Sequence, residues 1–300
     1  MSTPDSAWPA LPVAQWAATR DTLQLWTQMV GKLRLALTPL VNHWWNVPLY
    51  VDARGLTTSL MPLDDGGLEV RFDFVSSELV MLHTDGRERR LALRAQPIAD
   101  FYAEITSALR DLGVDAEITR MPVELPDVIA FDEDHRPGVY DAQAARRFWI
   151  SLVSASRVLN RFRSGFVGKA SPVHFFWGAF DLAASRFSGR PAPRHPGGVP
   201  HCPDRVMFEA YSDEVSSAGY WPGGGAEGAF YSYVYPEPAG FADADLGIAG
   251  AYYDRDLGEF ILPYEVVRVS DDPDATVRAF LESTYRQAAE RSAWPTDLER

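Results

Sequence analysis

The stretch Ser171-Pro-Val-His174-Phe175-Phe176-Trp177-Gly-Ala-Phe180-Asp181-Leu182 is the densest aromatic run in the chain. Side chains alternate along a strand, so His174, Phe176, Phe180 and Leu182 point one way and Phe175, Trp177 and Ala179 the other. Both rows are largely apolar, which predicts a strand covered on both faces. An earlier stretch, Val41-Asn42-His43-Trp44-Trp45-Asn46-Val-Pro-Leu-Tyr50-Val51, echoes it. One constant shift sets His43 on His174, Trp44 and Trp45 on Phe175 and Phe176, and Leu56-Thr57 on Phe187-Ser188.

Working outward, each aromatic stretch follows a helical pattern. Trp26, Met29, Val30, Leu33 and Leu37 recur at helical spacing over 22–37, with Asp21 as the cap and Pro39 as the stop. Asp141 caps a second helix running to about Phe162. Strand candidates follow the first stretch at 43–52, 56–63, 68–75, 78–84 and 89–93, then a helix from Pro97 to Leu112 with Gly113 as its stop. Residues 115–120 read as a short strand. Strand candidates follow the second stretch at 229–235, 248–254 and 259–262, then a helix from Pro273 to Ser292 capped by Asp272. Trp26, Val30 and Arg34 match Trp149, Val153 and Arg157, while Tyr102, Glu104 and Thr106 match Phe280, Glu282 and Thr284. The expected fold is α+β: two similar helix–antiparallel-sheet–helix halves packed about a pseudo-twofold axis as a duplicated single unit. The first half, with an N-terminal arm, covers 1–120. A linker covers 121–140, and the second half covers 141–300 with an inserted Pro/Gly-rich excursion at 189–227. Each sheet would leave one face open, and the two open faces would bury each other.

Composition narrows the function classes. The formal net charge of the 300 residues is -13, which disfavours a nucleic-acid partner. Lys32 and Lys169 are the only lysines among 28 basic residues, so each attracts notice. Cys202 is alone, so no intrachain disulfide forms. The start, Met1-Ser-Thr-Pro-Asp-Ser, lacks signal-peptide character, and no apolar run is long enough to span a bilayer. The expectation is a cytoplasmic protein with no membrane partner; oligomeric state and cofactor stay open.

The chemistry-bearing candidates cluster on the two aromatic stretches and the excursion. His43 and His174 stand at matching points, and paired imidazoles can serve a shared ligand, proton transfer or a metal; two satisfied core histidines are the plainer reading. No HExxH, CxxC, phosphate loop or GxSxG pattern occurs. Asp181 and Glu214 are the acid/base carboxylates expected beside the histidines, with Asp213 next to Glu214. Lys32, Asn42 and Lys169 are expected polar ligand contacts, and Trp45, Trp177 and Trp221 the walls. Trp221-Pro-Gly-Gly-Gly225 is either an anion-cradling loop or a plain turn.

Several strings carry a resemblance: Trp8-Pro-Ala-Leu-Pro12, Val30-Gly-Lys-Leu-Arg34-Leu, Asn42-His-Trp-Trp-Asn-Val-Pro-Leu-Tyr50, Ser171-Pro-Val-His-Phe-Phe-Trp-Gly178, Arg186-Phe-Ser-Gly-Arg190 and Ser217-Ala-Gly-Tyr-Trp-Pro-Gly-Gly-Gly225. By these the chain resembles an uncharacterised bacterial family, a domain of unknown function of about this length. The resemblance implies one family unit from end to end and supplies no activity or catalytic residue. The residues themselves point to a small-molecule site, aromatic and concave, between the two halves, with acid/base chemistry as an extension. The alternatives are a metal-dependent hydrolase or lyase using His43 and His174, and a non-enzymatic interaction module.

Overall fold

The first helix begins nine residues before Thr22. In the computed structural model, which describes residues 6–298, α1 spans Val13–Leu37 and Asp21 lies inside it. Pro12 takes the cap position, where its missing N–H costs nothing, and Ala-Gln-Trp-Ala-Ala after Val13 or near it favours helix. One face of α1 buries Trp16, Leu23, Trp26, Met29, Val30 and Leu33. Several of its polar residues tie down the chain between the two sheets. The Thr19 and Thr22 hydroxyls accept from the backbone N–H of Asp141 (3.0 Å) and Val139 (2.9 Å), and the Gln28 amide pairs with both backbone groups of Val123. Residues 121–140 are therefore a packed connector, with Phe131 wholly buried. Residues 115–120 form no strand.

The remaining elements are β1 (Tyr50–Val51), β2 (Gly55–Thr57), β3 (Met61–Leu63), β4 (Gly66–Asp73), β5 (Glu78–His83), β6 (Glu88–Ala92), α2 (Ile98–Asp111), α3 (Ala142–Ser164), β7 (His174–Phe176), β8 (Asp181–Pro191), α4 (Asp204–Ala210), β9 (Asp213–Trp221), β10 (Ala229–Tyr235), β11 (Tyr252–Asp254), β12 (Glu259–Pro263), α5 (Tyr264–Arg268) and α6 (Pro273–Arg291). The expected caps form: Asp141 accepts from Gln143 and Ala144 N–H, and Asp272 from Ala275 N–H. Gly113 ends α2 at φ +71°.

The fold is mixed α+β, with two antiparallel sheets of six strands each. The first runs β1-β2-β4-β5-β6 with β3 also on β4; the second runs β11-β12-β10-β9-β8-β7. The sheets meet edge to edge, because Leu49 and Phe175 exchange both backbone hydrogen bonds (2.9 and 2.8 Å). Their open faces are not pressed together as the sequence suggested. One hydrophobic core, including Trp16, Phe72, Phe148, Phe175 and Phe280, runs through both sheets and their helices. No described helix is long and apolar enough to cross a membrane.

Three sequence readings of the site region change. His43 is not on a strand: residues 42–44 form a 3-10 turn, and His43 (φ 56°) and Trp44 (φ 59°) are left-handed. The aromatic run breaks at Trp177–Phe180, where a tight turn joins β7 to β8. The expected excursion 189–227 contains the whole of β9, a central strand, so the irregular insertion shrinks to 192–212. The buried stretch of β9 includes Ser216, Ser217, Ala218 and Gly219, and this small-residue strand carries little of the usual apolar strand signature. Residues 192–212 cover the second sheet's open face, which answers how that face is buried.

Candidate functional site

Strand alternation sorts the second sheet into two faces. Phe175, Leu182, Ala218, Tyr220 and Phe230 belong to the common core, on the side of α3 and α6. The cross-strand pairs Phe176↔Asp181, His174↔Ala183, Ala183↔Gly219, Ser185↔Ser217, Phe187↔Val215 and Tyr233↔Ser217 define the other face. That face is roofed by the 3-10 turn, by α4 and by the connector near Glu124. Trp44 Nε1 donates to Val206 O (3.0 Å), and Glu124 N–H donates to Pro200 O (2.9 Å).

At one end of the roofed face sits a hydrogen-bonded triad. The His43 ring lies between Ala210 O and the Lys169 amine: Nδ1 is 3.2 Å from the carbonyl and Nε2 is 2.6 Å from Nζ. A carbonyl only accepts, so Nδ1 carries the proton and Nε2 offers its lone pair to the ammonium. Lys169 Nζ also donates to Asp213 Oδ2 at 2.9 Å. The His43 backbone N–H is held by Glu209 Oε1 (3.1 Å). Phe187 stacks on the His43 ring at 4.5 Å, and the amine lies over the rings of Phe187 (4.9 Å) and Trp45 (5.9 Å). His43 is buried, while Lys169 and Asp213 are each about a third exposed, so the triad reaches water through its amine and carboxylate.

Towards the β7–β8 turn lies a carboxylate–tyrosine cluster. Asp181 is buried and accepts from the Tyr231 hydroxyl. Burial pushes its carboxyl up to about 7, an effect the Tyr231 hydrogen bond opposes. Glu259, half-buried, is raised to about 7 by burial and by the charge of Asp181. Tyr211 and Tyr233 share a hydroxyl–hydroxyl bond of 2.8 Å beside it, and Ser185 and Ser217 another of 3.0 Å.

His174 lies on the same face, in a third environment. It is wholly buried against Tyr50, Phe176 and Trp45, with ring centroids 5.5–6.0 Å away. Burial, with the charges of Arg34 and Arg163, drops its pKa to about 3, so the ring is neutral. The two histidines have different surroundings, polar for His43 and aromatic for His174. Both contact Trp45, at 5.7 Å for His43 and 6.0 Å for His174.

The structure thus brings together His43, Lys169 and Trp45, with His174 and Asp181 on the same sheet face. Glu214 is elsewhere: alternation sends it to the opposite face from Asp213, where Arg190 (2.7 Å) and Ser188 (2.8 Å) hold it. Trp221 is exposed at the far end of β9, and the glycines after it form the β9–β10 turn. Trp177 is a packing group that donates to Val47 O (3.0 Å) and presses on Gly31, where a Cβ would overlap the indole. Lys32 is buried and donates to Thr119 Oγ1 (2.8 Å) and Met121 O (2.6 Å), so it pins the connector. Asn42 is exposed in the 3-10 turn. The sequence reading missed Tyr231, Tyr233, Glu259 and Glu209, and passed over Asp213 in favour of Glu214. The alternation Tyr231-Ser-Tyr233-Val-Tyr235 was the available signal, since it puts three hydroxyls on one side of a strand.

Backbone strain marks the same region. Among the described residues eight non-glycine residues have positive φ, and five of them, His43, Trp44, Glu124, Phe180 and His201, lie in the roof or the β7–β8 turn. Left-handed backbone costs a non-glycine residue roughly 1 kcal/mol or more and gathers at functional sites.

No curated protein and no solved structure matches the chain. A family model does, over residues 8–300, and the chain therefore belongs to DUF5996, a family of unknown function.

Proposed function

We propose that the roofed face of the second sheet is a small-molecule site, with Lys169, His43 and Asp213 as its proton-handling end and Trp45 and Phe187 as its walls. The observation behind this reading is the amine held between an imidazole lone pair and a carboxylate, 2.6 and 2.9 Å away. An ordinary surface lysine gains about 0–1 kcal/mol from one ion pair and needs no buried histidine with a strained backbone. Here two successive left-handed residues and a Glu209 contact fix the imidazole. Such a unit can donate a proton from nitrogen, take one back through His43, or hold an acidic group of a ligand. A thermal-shift screen of polar aromatic and acidic metabolites tests it. Ligands that stabilise the wild type should lose most of their effect on Lys169→Met and His43→Gln. Hits that shift both variants as much as the wild type would place the site elsewhere.

A metal-dependent hydrolase or lyase on His43 and His174 has less behind it. The contacts of His174 are aromatic rings and its nearest charges are arginines, and among the described residues no group of three His, Cys, Asp or Glu gathers as ligands would.

The duplication is also our reading. Both halves run leading helix, antiparallel sheet, trailing helix. Their first hairpins have equal reach, with Val51 opposite Leu56 and Phe176 opposite Asp181. Each leading helix grips the other half's hairpin: Gln24 donates to Gly178 O (2.8 Å), and Trp149 Nε1 to Asp52 O (3.1 Å). In this register His174 corresponds to Leu49, and the apparent match of His43 to His174 falls away.

A further inference from the structure

We infer that Arg34 and His174 form a buried receptor for an oxyanion, a carboxylate or phosphate group carried by a ligand of this protein. Arg34 is about nine-tenths buried on α1, and its Nε and Nη1 have no hydrogen-bond partner among the described residues. No carboxylate among the described residues pairs with it; its guanidinium lies over the Tyr50 ring at 5.1 Å. His174 is wholly buried and neither ring nitrogen has a partner among the described residues. The two share Tyr50 as a neighbour, since the same ring packs edge-on to His174 at 5.6 Å. Arg163 adds a second positive charge nearby, with its Nε spent on Ser171 O.

Buried cations in proteins are almost always paired, because desolvation costs several kcal/mol per ion. A chain of net charge -13 has carboxylates to spare, yet none among the described residues is placed against this guanidinium. Nε–H and Nη1–H lie on different edges of the guanidinium, so an oxyanion engages one of them through a single charge-assisted hydrogen bond. The His174 ring supplies one N–H in either tautomer, giving a second donor. Trp45 contacts both His174 and His43, so an anion here would lie one indole away from the Lys169 triad. The inference does not need that triad to move protons.

The test uses the full chain and inorganic phosphate and acetate as probes, with chloride matching ionic strength. Phosphate or acetate at roughly a hundred times its dissociation constant should raise the wild-type melting temperature by about 5 °C. Arg34→Met should abolish that rise, and Trp221→Phe, at the exposed far end of β9, should keep it. A response to phosphate alone assigns a phosphate group, and one to acetate alone a carboxylate. An equal rise in Arg34→Met means general salting and overturns the inference, as does no rise with either probe. If Arg34→Met does not fold, imidazole 15N shifts in the wild type decide. His174 nitrogens should move on titration with the active probe, and unmoved nitrogens overturn the inference.

Discussion

Replacing Asp181 with Asn should flatten the pH dependence of stability between about pH 4 and pH 7. Asp181 has a carboxyl raised from 3.8 to about 7 by burial, with Tyr231 donating to it. The sign follows from proton counts. Between those values the unfolded chain has released this proton and the native state still holds it, so stability falls as pH rises. The loss is absent below 3.8 and complete above about 7. Its full size is about 4 kcal/mol, of which about 3 kcal/mol falls between pH 4.5 and 8. Asn keeps the acceptor for Tyr231 and cannot ionise. The assay is urea unfolding of wild type and Asp181→Asn at pH 4.5, 6, 7 and 8. The substitution carries its own fixed cost, which the comparison removes. The stability of the variant relative to wild type should improve by about 3 kcal/mol from the lowest pH to the highest. A difference that stays constant within about 0.5 kcal/mol would refute the buried, protonated carboxyl.

Tyr231→Phe removes the hydrogen bond that lowers the Asp181 value, so the fall of stability should continue to higher pH in the variant, with more lost between pH 7 and 8 than in wild type; an equal loss over that interval in the same urea series contradicts this. Gly31→Ala should destabilise by roughly 1–3 kcal/mol, because overlap with the Trp177 indole outweighs the roughly 1 kcal/mol helix gain of Ala, and calorimetry reads the sign. Burial lowers the Lys32 amine from 10.5 to about 8. Above about pH 8 the unfolded chain keeps a proton that the native state has lost, so this residue adds stability as pH rises towards 10.5. Lys32→Met should remove that rise in denaturant midpoints measured between pH 8 and 10.

Much of the helical framework was legible because its punctuation is local. Asp141, Asp272, Gly113 and the apolar faces of α1 and α3 act within a few residues. The start of α1 was hidden because Pro9 and Pro12 look like breakers, whereas Pro12 serves as the cap. β9 was hidden because its sequence, Asp-Glu-Val-Ser-Ser-Ala-Gly-Tyr-Trp, is small and polar. Its Ser217 and Gly219 make room for tyrosines, a tertiary reason that no local pattern displays: a Cβ at Gly219 would collide with the Tyr231 hydroxyl. His43, Lys169, His174, Trp45 and Asp181 were legible as rare polar or aromatic groups in distinctive strings. Their grouping was not, since the His43–Lys169 contact spans 126 residues and depends on α4 and the 3-10 turn. Glu214 was chosen over Asp213 because neighbours on a strand look alike in sequence and face opposite ways in space.

His43, Lys169 and Asp213 form one hydrogen-bonded unit. Nitrogen NMR of histidine-labelled protein at neutral pH measures it most directly. His43 should appear as a neutral ring protonated at Nδ1, with Nε2 in the range of a hydrogen-bonded acceptor. Lys169→Met should shift that Nε2 signal and leave His174 unmoved. A His43 ring protonated at Nε2 alone, or one indifferent to the loss of Lys169, would contradict the account.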